Sequence, residues 1–370
     1  MMQQADIDTV AAAHGVSAEI PRMGVLATGT LLYFAVGGLF LLSVGINPLI
    51  VLSGVGESLP FFFKTLAEVL PVWLCVAACL ALALIAPLRR HLWAQKVSAL
   101  AAVIYCSVFV LMFGLVKNNL SQAVPFWADD VLTRADLALH LGQTPHHLVS
   151  WLSGLNVSSL SRFYLNSWVV LATYFPVFLM AFDPNVARRR IFTILWMGCW
   201  IVLGNLIAAC FMSYGPIFAD LFPGGAAAQH GEALAVVQRA DAEALMAIKM
   251  QLWAAYSGET EMVGSGISAF PSVHVGMATV LALYLMHLVR DVTAGAGLPT
   301  GALRVLRGAS VLIAVLYVLI YLVLSVYLGW HYALDGYASI LVICAAYGLL
   351  LRYKDRFVPN ASPCQPLGQG

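Results

Sequence analysis

The run GASVLIAVLYVLIYLVLSVYL, residues 308–328, decides the fold class of this chain. It contains no charged residue, and it is long enough for an α-helix to cross a bilayer, which takes roughly 20 consecutive apolar residues. A second run, ALDGYASILVICAAYGLLLR, occupies residues 333–352 after a short polar link. The two runs predict a pair of consecutive transmembrane helices.

The overall composition agrees with these two runs. Hydrophobic residues make up 61% of the 370 residues and charged residues 10%, whereas a soluble domain is about 45–50% apolar and about 25% charged. The mean hydropathy is +0.87. These values exclude a soluble globular protein, a disordered chain and a nucleic-acid-binding protein, and they predict a polytopic membrane protein. The net charge of +1 gives no information about a partner.

Further apolar runs bring the predicted number of spans to eight. They lie at residues 24–46, 68–88, 97–117, 163–183, 191–213 and 270–289. Long alternation of apolar and polar residues, the pattern of a membrane β-barrel, is missing from the sequence. The predicted fold is therefore all-α, a polytopic helical bundle.

The basic residues predict the orientation of the bundle. One side would hold most of the 19 lysines and arginines, namely Arg22, Arg89, Arg90, Lys96, Arg188, Arg189, Arg190, Arg290, Arg304, Arg307, Arg352, Lys354 and Arg356. The other side would hold Lys64, Lys117, Arg134, Arg162, Arg239 and Lys249, spread over longer segments. Because short cytoplasmic loops are enriched in Lys and Arg, both termini are predicted to be cytoplasmic.

Two long segments, 118–162 and 214–269, would then lie on the extracytoplasmic side. Both contain amphipathic stretches, which fit helices that cover a site at the membrane surface and equally fit plain solvated connectors. Asp129, Asp130 and Asp136 in the first segment are expected to cap or position its helices.

The residues with catalytic potential lie at the outer ends of the last three spans. The sixth span opens with Phe270-Pro271-Ser272-Val273-His274, and the link between the last two spans contains Trp330-His331, with Asp335 four residues after this histidine. Ionisable residues at membrane depth are costly and indicate function by default. Each of these three residues alone would more often be an ordinary interfacial residue, but His274, His331 and Asp335 together point to a site.

This pattern suits phosphoryl transfer. Residues four apart share a helix face, so Asp335 can bind the Nδ1–H group of His331 and leave Nε2 free as a nucleophile. His274 can protonate a leaving oxygen from another helix. Backbone N–H groups and the hydroxyl of Ser272 at the start of that helix favour a bound phosphate.

These motifs resemble the type-2 phosphatidic acid phosphatase superfamily. Its Pro-Ser-x-His and His-x-x-x-Asp motifs match residues 271–274 and 331–335. The branch that includes inositol phosphorylceramide synthase is the closer match, through FPSVH at 270–274, YLGWHYALDG at 327–336, Gly215-Pro216 and the segment 129–142. The resemblance covers roughly residues 100–352 and implies a six-helix catalytic core.

The resemblance implies a division into an N-terminal transmembrane addition (1–95), a catalytic membrane domain (96–352) and a cytoplasmic tail (353–370). It implies that His331 is the nucleophile that forms a phosphohistidine, that Asp335 orients it, and that His274 is the general acid and later the base. It implies no metal and no cofactor. The site would face the periplasm or exterior of a bacterial inner membrane.

The chain departs from the family pattern at the phosphate-binding arginines. The position six residues before the second histidine is Ser325, and the family's first motif, with its Arg-Pro pair, is missing from the sequence. A phosphate needs cationic donors. Lys117, at the outer end of the third span, and Arg162, at the start of the fourth, are the candidates for this role, although Lys117 equally fits an interface anchor.

Three functions remain open at this stage. The first is a lipid phosphotransferase that moves a phosphoryl or phospho-headgroup to a lipid or polyol acceptor. The second is a lipid or polyprenyl phosphate phosphatase with water as the acceptor, and the third is a non-enzymatic lipid transporter. No nucleic acid and no obligate protein partner is expected. The absence of an inverted repeat in the sequence weighs against the transporter.

Overall fold

The computed structural model describes residues 24–57, 60, 62–64, 67, 80, 86–222, 227–258, 266–294 and 296–353. Within these ranges the chain forms helices, turns and connecting segments, and no strand. The prediction of an all-α membrane bundle is confirmed. Residues 1–23 of the predicted N-terminal addition, and all but residue 353 of the predicted cytoplasmic tail (353–370), lie outside the described residues.

The helices, in chain order, are α1 (Gly24–Ser43), α2 (Ile50–Ser53), α3 (Ala86–Asn118), α4 (Leu120–Ala123), α5 (Asp129–Leu139), α6 (Pro145–Leu148), α7 (Val157–Phe182), α8 (Val186–Gly198), α9 (Ala208–Cys210), α10 (Gly231–Val237), α11 (Glu243–Tyr256), α12 (Val273–Ala294), α13 (Thr300–Tyr327) and α14 (Ala333–Arg352). A π-helical stretch, Cys199–Ile207, joins α8 to α9. Short 3₁₀ turns include Gly54–Glu57, Pro216–Phe218 and Ala227–His230.

Seven helical stretches in the described part of the chain are long and apolar enough to cross a membrane. They are α1, α3, α7, α8 with its continuation to Cys210, α12, α13 and α14, and they match seven of the eight predicted spans. Only residues 80 and 86–88 of the predicted second span are described, so that prediction lies almost wholly outside the described residues. The chain is an integral membrane protein.

Aromatic side chains build much of the core between α1, α3 and α8. The ring of Phe109 in α3 lies 4.9 Å from Tyr33 and 4.8 Å from Trp196, measured between centroids. Phe109 and Trp196 are fully buried. The hydroxyl of Tyr33 donates to Oδ1 of Asn205 at 2.6 Å, so the π-helical stretch is tied to the first span.

Helix α7 is kinked, and the released backbone carbonyl has a new partner. Tyr174 has non-helical dihedral angles, and Pro176 lies inside the helix. A proline lacks the N–H group that would bond to the carbonyl four residues earlier. That carbonyl, on Ala172, instead accepts a hydrogen bond of 2.5 Å from the indole Nε1 of Trp196.

Charged and polar groups at one end of the bundle form a closed network. Arg188 of α8 donates to both carboxylate oxygens of Asp183 at 2.6 Å and to Asp291 of α12 at 2.8 Å. Tyr284 also donates to Asp183 at 3.1 Å, and Nε2 of His287 lies 3.3 Å from Asp291. We call this set the paired end; it joins α7, α8 and α12.

The opposite end of the bundle is covered by the two long segments predicted to lie outside. They pack on each other, because the hydroxyl of Thr144 in the first segment donates to Glu232 in the second at 2.7 Å. Ser158 donates through its backbone to the carbonyl of Asp241, and Ala269 to that of Ser213. The described parts of the two segments therefore form one structured cover rather than independent solvated connectors.

Candidate active site

The two predicted histidines lie side by side beneath this cover. His274 is the second residue of α12, and His331 lies in the turn between α13 and α14. Their ring centroids are 6.1 Å apart, and the rings stand at 61° to each other. A backbone hydrogen bond from Ser272 to the carbonyl of Asp335, 3.3 Å, joins the start of α12 to α14.

Hydrogen bonds fix the tautomer of His331. Its Nδ1 lies 2.8 Å from the backbone carbonyl of Ala269 and 3.1 Å from Oδ2 of Asp335. A carbonyl can only accept, so Nδ1 carries the proton and Nε2 keeps its lone pair. Burial lowers the pKa of His331 to about 3, the positive charge of Lys117 adds to this effect, and the Ala269 bond opposes it. His331 is therefore a neutral imidazole with a free Nε2.

Asp335 is fully buried at the third position of α14. Its Oδ2 accepts from the backbone N–H group of Tyr332 at 3.1 Å as well as from His331. This is the partnership predicted from the four-residue spacing. The second oxygen, Oδ1, has no partner among the described residues.

Two aromatic rings of α7 hold His274. The imidazole stacks on Tyr164 with centroids 4.5 Å apart at 19°, and on Trp168 with centroids 4.1 Å apart at 26°. Tyr164 and Trp168 are four residues apart and so lie on one face of the helix. Nε2 of His274 is buried and finds no hydrogen-bond partner among the described residues.

A pair of buried aspartates in the first outer segment fixes the turn that contains His331. Asp136 accepts from the backbone N–H groups of Ala333 and Leu334, both at 2.9 Å. It therefore caps α14 and not its own helix, contrary to the expectation from sequence. Burial raises the pKa of Asp136, and the two backbone bonds oppose this shift.

Asp129 ties the same turn to the second outer segment. Its carboxylate accepts from the backbone N–H groups of Tyr214 and Gly215 at 3.1 and 2.9 Å, and from the hydroxyl of Tyr332 at 2.9 Å. Gly215 has a φ of +82°, and a Cβ there would lie 3.0 Å from the carbonyl oxygen of Trp330. Only the fold reveals these roles, because sequence spacing does not show which distant backbone an aspartate reaches.

His230 closes the cover above Tyr332. Its Nε2 lies 3.1 Å from the hydroxyl of Thr133, and its ring meets Tyr332 edge-on at 5.6 Å. Burial lowers the pKa of His230 to about 4, so this imidazole is neutral in the folded protein at neutral pH.

A cavity of about 590 Å³ opens beside the histidine pair. This volume lies within the roughly 300–1,000 Å³ of typical ligand sites. From Lys117 the cavity follows α3 and α7 to Ser107 and Tyr174, a distance of about 15 Å at the rise of an α-helix. Its walls are mostly apolar, including Val110, Leu165 and Val169. The polar part therefore lies at the histidines, and the apolar part extends along the helices.

Only one of the three predicted substrate-binding residues lines the cavity. Lys117 lines it, with its ammonium group 5.8 Å from the ring centroid of Phe113. Arg162 is exposed and does not line it. Ser272 is fully buried and uses its Oγ to accept from the backbone N–H group of Val275 at 3.3 Å, so it caps α12. Of the three, only Lys117 is positioned to meet a ligand in this cavity.

The residues in the described ranges include no cluster of three or more His, Cys, Asp or Glu side chains that could hold a metal ion. Compared with family models, curated proteins and solved structures, the chain has no significant match. The function must therefore be argued from the site itself.

Proposed function

We propose that this chain is an integral membrane lipid phosphotransferase that works through a phosphohistidine intermediate, as its motifs' resemblance to the inositol phosphorylceramide synthase branch implies. One observation carries the proposal. His331 is a neutral histidine with a free Nε2 and a hydrogen bond to the buried Asp335. Its ring centroid lies 6.1 Å from that of His274, at the polar end of a long apolar cavity. The cavity offers an apolar chain and a phosphate group their separate environments.

In the first half-reaction, Nε2 of His331 attacks phosphorus. The new P–N bond forms as the P–O bond to the leaving alcohol breaks, and protonated His274 gives its proton to the departing oxygen. The phosphorylated imidazole then carries a positive charge, which the carboxylate of Asp335 at 3.1 Å from Nδ1 stabilises.

In the second half-reaction, the hydroxyl of an acceptor gives its proton to His274, and its oxygen attacks phosphorus as the P–N bond breaks. This restores neutral His331 and protonated His274. A lipid or polyol acceptor makes the protein a transferase, and water makes it a phosphatase, which is the alternative function. The apolar walls of the cavity favour transfer, because they disfavour water near the intermediate.

The orientation belongs to the same proposal. The distribution of Lys and Arg supports cytoplasmic termini, which places the histidine end of the bundle at the periplasmic or exterior face of a bacterial inner membrane. The substrate would then be a lipid of the outer leaflet.

The test uses purified full-length protein in detergent with a panel of lipid phosphates and phospholipids. Free phosphate and new lipid species are followed together, and the phosphoenzyme is trapped by rapid denaturation at alkaline pH. A new phospholipid without free phosphate identifies a transferase, and free phosphate identifies a phosphatase. His331→Ala should abolish both products and the phosphoenzyme. Full turnover in this variant would overturn the mechanism.

A further inference from the structure

The part of the cavity that extends away from the histidines, here called the apolar arm, has the same length on both of its helical walls. One wall is a stripe of α3 that begins at Lys117 and ends at Ser107. The other is a stripe of α7 that begins at Tyr164, against His274, and ends at Tyr174. Each stripe covers ten residues, which is about 15 Å at the rise of an α-helix.

The spacing of the lining residues explains why they form two continuous walls. On each helix they recur at separations of mostly three and four residues, which keeps them on one face. Apart from Thr173, the side chains between the ends of the two stripes are apolar or aromatic. They are Val110, Leu111, Phe113, Leu165, Trp168 and Val169. The apolar arm therefore offers hydrocarbon contacts along its length.

A hydrogen-bonded pair closes the far end of the apolar arm. Oγ of Ser107 lies 3.2 Å from the hydroxyl oxygen of Tyr174, so one bond joins the last lining residues of the two walls. Phe62, which is not among the residues that line the cavity, packs edge-on against Tyr174 with centroids 4.8 Å apart. All three residues are buried. We call Ser107 and Tyr174 the floor of the apolar arm.

The one carboxylate among the described lining residues, apart from the histidine end, lies at the side of the arm. Glu57 belongs to the Gly54–Glu57 turn, and a Cβ on Gly54 would lie 3.0 Å from the side chain of Leu111. Leu111 is between Lys117 and Ser107 on α3. Glu57 is exposed, and the turn meets α3 above the floor. The floor itself therefore carries no charged group.

The length of the apolar arm corresponds to a definite number of carbon atoms. An extended alkyl chain advances about 1.25 Å per carbon, because its C–C bonds are about 1.5 Å long and meet at about 111°. The arm of about 15 Å therefore accommodates about 12 carbons. A longer extended chain would meet the floor before its polar end reached the histidines.

We propose that the apolar arm binds an alkyl chain of the lipid substrate, and that Ser107 and Tyr174 limit the length of chain that fits. The inference rests on the proposed function for the phosphate end of the substrate, which lies at the histidines. It goes beyond that function by assigning selectivity for chain length to two residues that are about 15 Å from the reacting atoms.

The experiment measures thermal unfolding of the purified full-length protein while n-alkyl phosphates, from hexyl to hexadecyl phosphate, are titrated. The protein is held in amphipol, so that no detergent chain competes for the apolar arm. Ligand binding raises the midpoint with concentration. Partition of each ligand into the amphipol is the same for every variant, so the ratio of variant to wild-type dissociation constants at each chain length removes that contribution.

Tyr174→Ala removes the floor and should admit longer chains. Each buried methylene is worth about a fourfold change in affinity. We expect hexadecyl phosphate to bind about 10- to 100-fold more tightly than to the wild-type protein, and hexyl phosphate to bind equally well. The gain should therefore appear only for chains that are longer than the arm.

Val110→Trp should have the opposite effect, because it fills the arm from the side. Val110 is seven residues from Lys117, about 10 Å along α3, which corresponds to about eight carbons. Dodecyl phosphate should bind about 10- to 100-fold more weakly, and hexyl phosphate should be unaffected. This variant leaves the floor intact, so it decides the question if Tyr174→Ala does not fold.

Phe175→Ala is the matched control for loss of a buried aromatic ring. Phe175 is adjacent to Tyr174 in the chain, but it packs edge-on against Tyr284 of α12, with centroids 5.2 Å apart, and does not line the cavity. The variant should unfold at a lower temperature than the wild-type protein. Its ratios of dissociation constants should be the same for every chain length.

Ratios that do not vary with chain length in Val110→Trp, or in folded Tyr174→Ala, would overturn the proposal. Failure of the proposed function gives a different result. A limit on chain length that moves in these variants, in a protein that forms no phosphoenzyme, would overturn the catalytic mechanism and leave the apolar arm as a chain-binding site. Equal phosphoenzyme formation from every chain length in all variants would do the reverse.

Discussion

The two ends of the helical bundle differ in whether their buried polar groups have hydrogen-bond partners. At the paired end, Arg188 donates hydrogen bonds to Asp183 and Asp291. Tyr284 also donates to Asp183, and His287 lies beside Asp291. At the histidine end, three indoles, a phenol and the Nε2 atom of His274 are buried without a partner within the described structure. The two ends therefore differ in how far their buried polar groups are hydrogen-bonded.

This difference separates structural from reactive roles. A satisfied buried network fixes one arrangement of the helices, and breaking it is costly because it leaves an unpaired charge. Unsatisfied buried donors destabilise a protein by about 1–3 kcal/mol each. The comparison predicts that substitutions at the two ends change different measured quantities.

The largest effect on turnover, after loss of the nucleophile, is expected for Asp335→Asn. The amide keeps the volume but removes the charge that stabilises the phosphorylated imidazole. The carbonyl of Ala269 still holds the tautomer of His331. We expect turnover to fall about 10²–10⁴-fold, with a thermal midpoint close to that of the wild-type protein. Rapid-quench measurement of phosphoenzyme formation checks this, and an unchanged rate would remove Asp335 from the mechanism.

The paired end should show the reverse behaviour. Arg188→Met leaves Asp183 buried without its cation, so we expect the free energy of unfolding to fall by about 3–5 kcal/mol. Turnover per folded molecule should stay within about twofold at a temperature where the variant is folded. Arg304→Met, at an exposed position, is the control and should change neither quantity. A large loss of turnover in folded Arg188→Met would show that the two ends are coupled.

Asp136→Asn tests whether the hydrogen bonds from the start of α14 to Asp136 position the candidate active site. An amide can accept only one of the two backbone hydrogen bonds at the start of α14, and its NH₂ group faces the other donor. Loss of a helix cap costs about 0.5–2 kcal/mol, and displacement of α14 should lower turnover roughly tenfold. The exposed neighbour Asp130→Asn is the control. Equal turnover in the two variants would contradict a positioning role for Asp136.

The smallest effect at neutral pH is expected at His230, whose contribution changes only as pH falls. The pKa of His230 is about 4 in the folded protein and about 6.5 in an unfolded chain. The unfolded state therefore binds more protons between these values, and stability is lost as pH falls from 6.5 towards 4, by at most about 1.4 kcal/mol per pH unit. His230→Gln should unfold with a shallower pH dependence. Identical slopes for the variant and the wild-type protein would contradict the buried, neutral state of His230.

Much of the architecture follows from the chain alone. The apolar runs give seven described spans, and the four-residue spacing of His331 and Asp335 gives their hydrogen bond. The proximity of His274 to His331 follows once both motifs lie at the same end of the bundle. The residues around the cavity were harder to predict. Arg162 is exposed, Ser272 caps a helix, and of the three predicted substrate-binding residues only Lys117 lines the cavity.

The sequence by itself determined what local chemistry and hydrophobicity can determine, namely which segments enter the membrane and which polar residues lie at their ends. The tertiary structure decided which groups lack partners. Whether an indole N–H group or an aspartate is satisfied depends on atoms that are up to about two hundred residues away in the chain, as in the hydrogen bonds from Ala333 and Leu334 to Asp136. No local pattern encodes such a partner, because it is brought into place only when the helices pack.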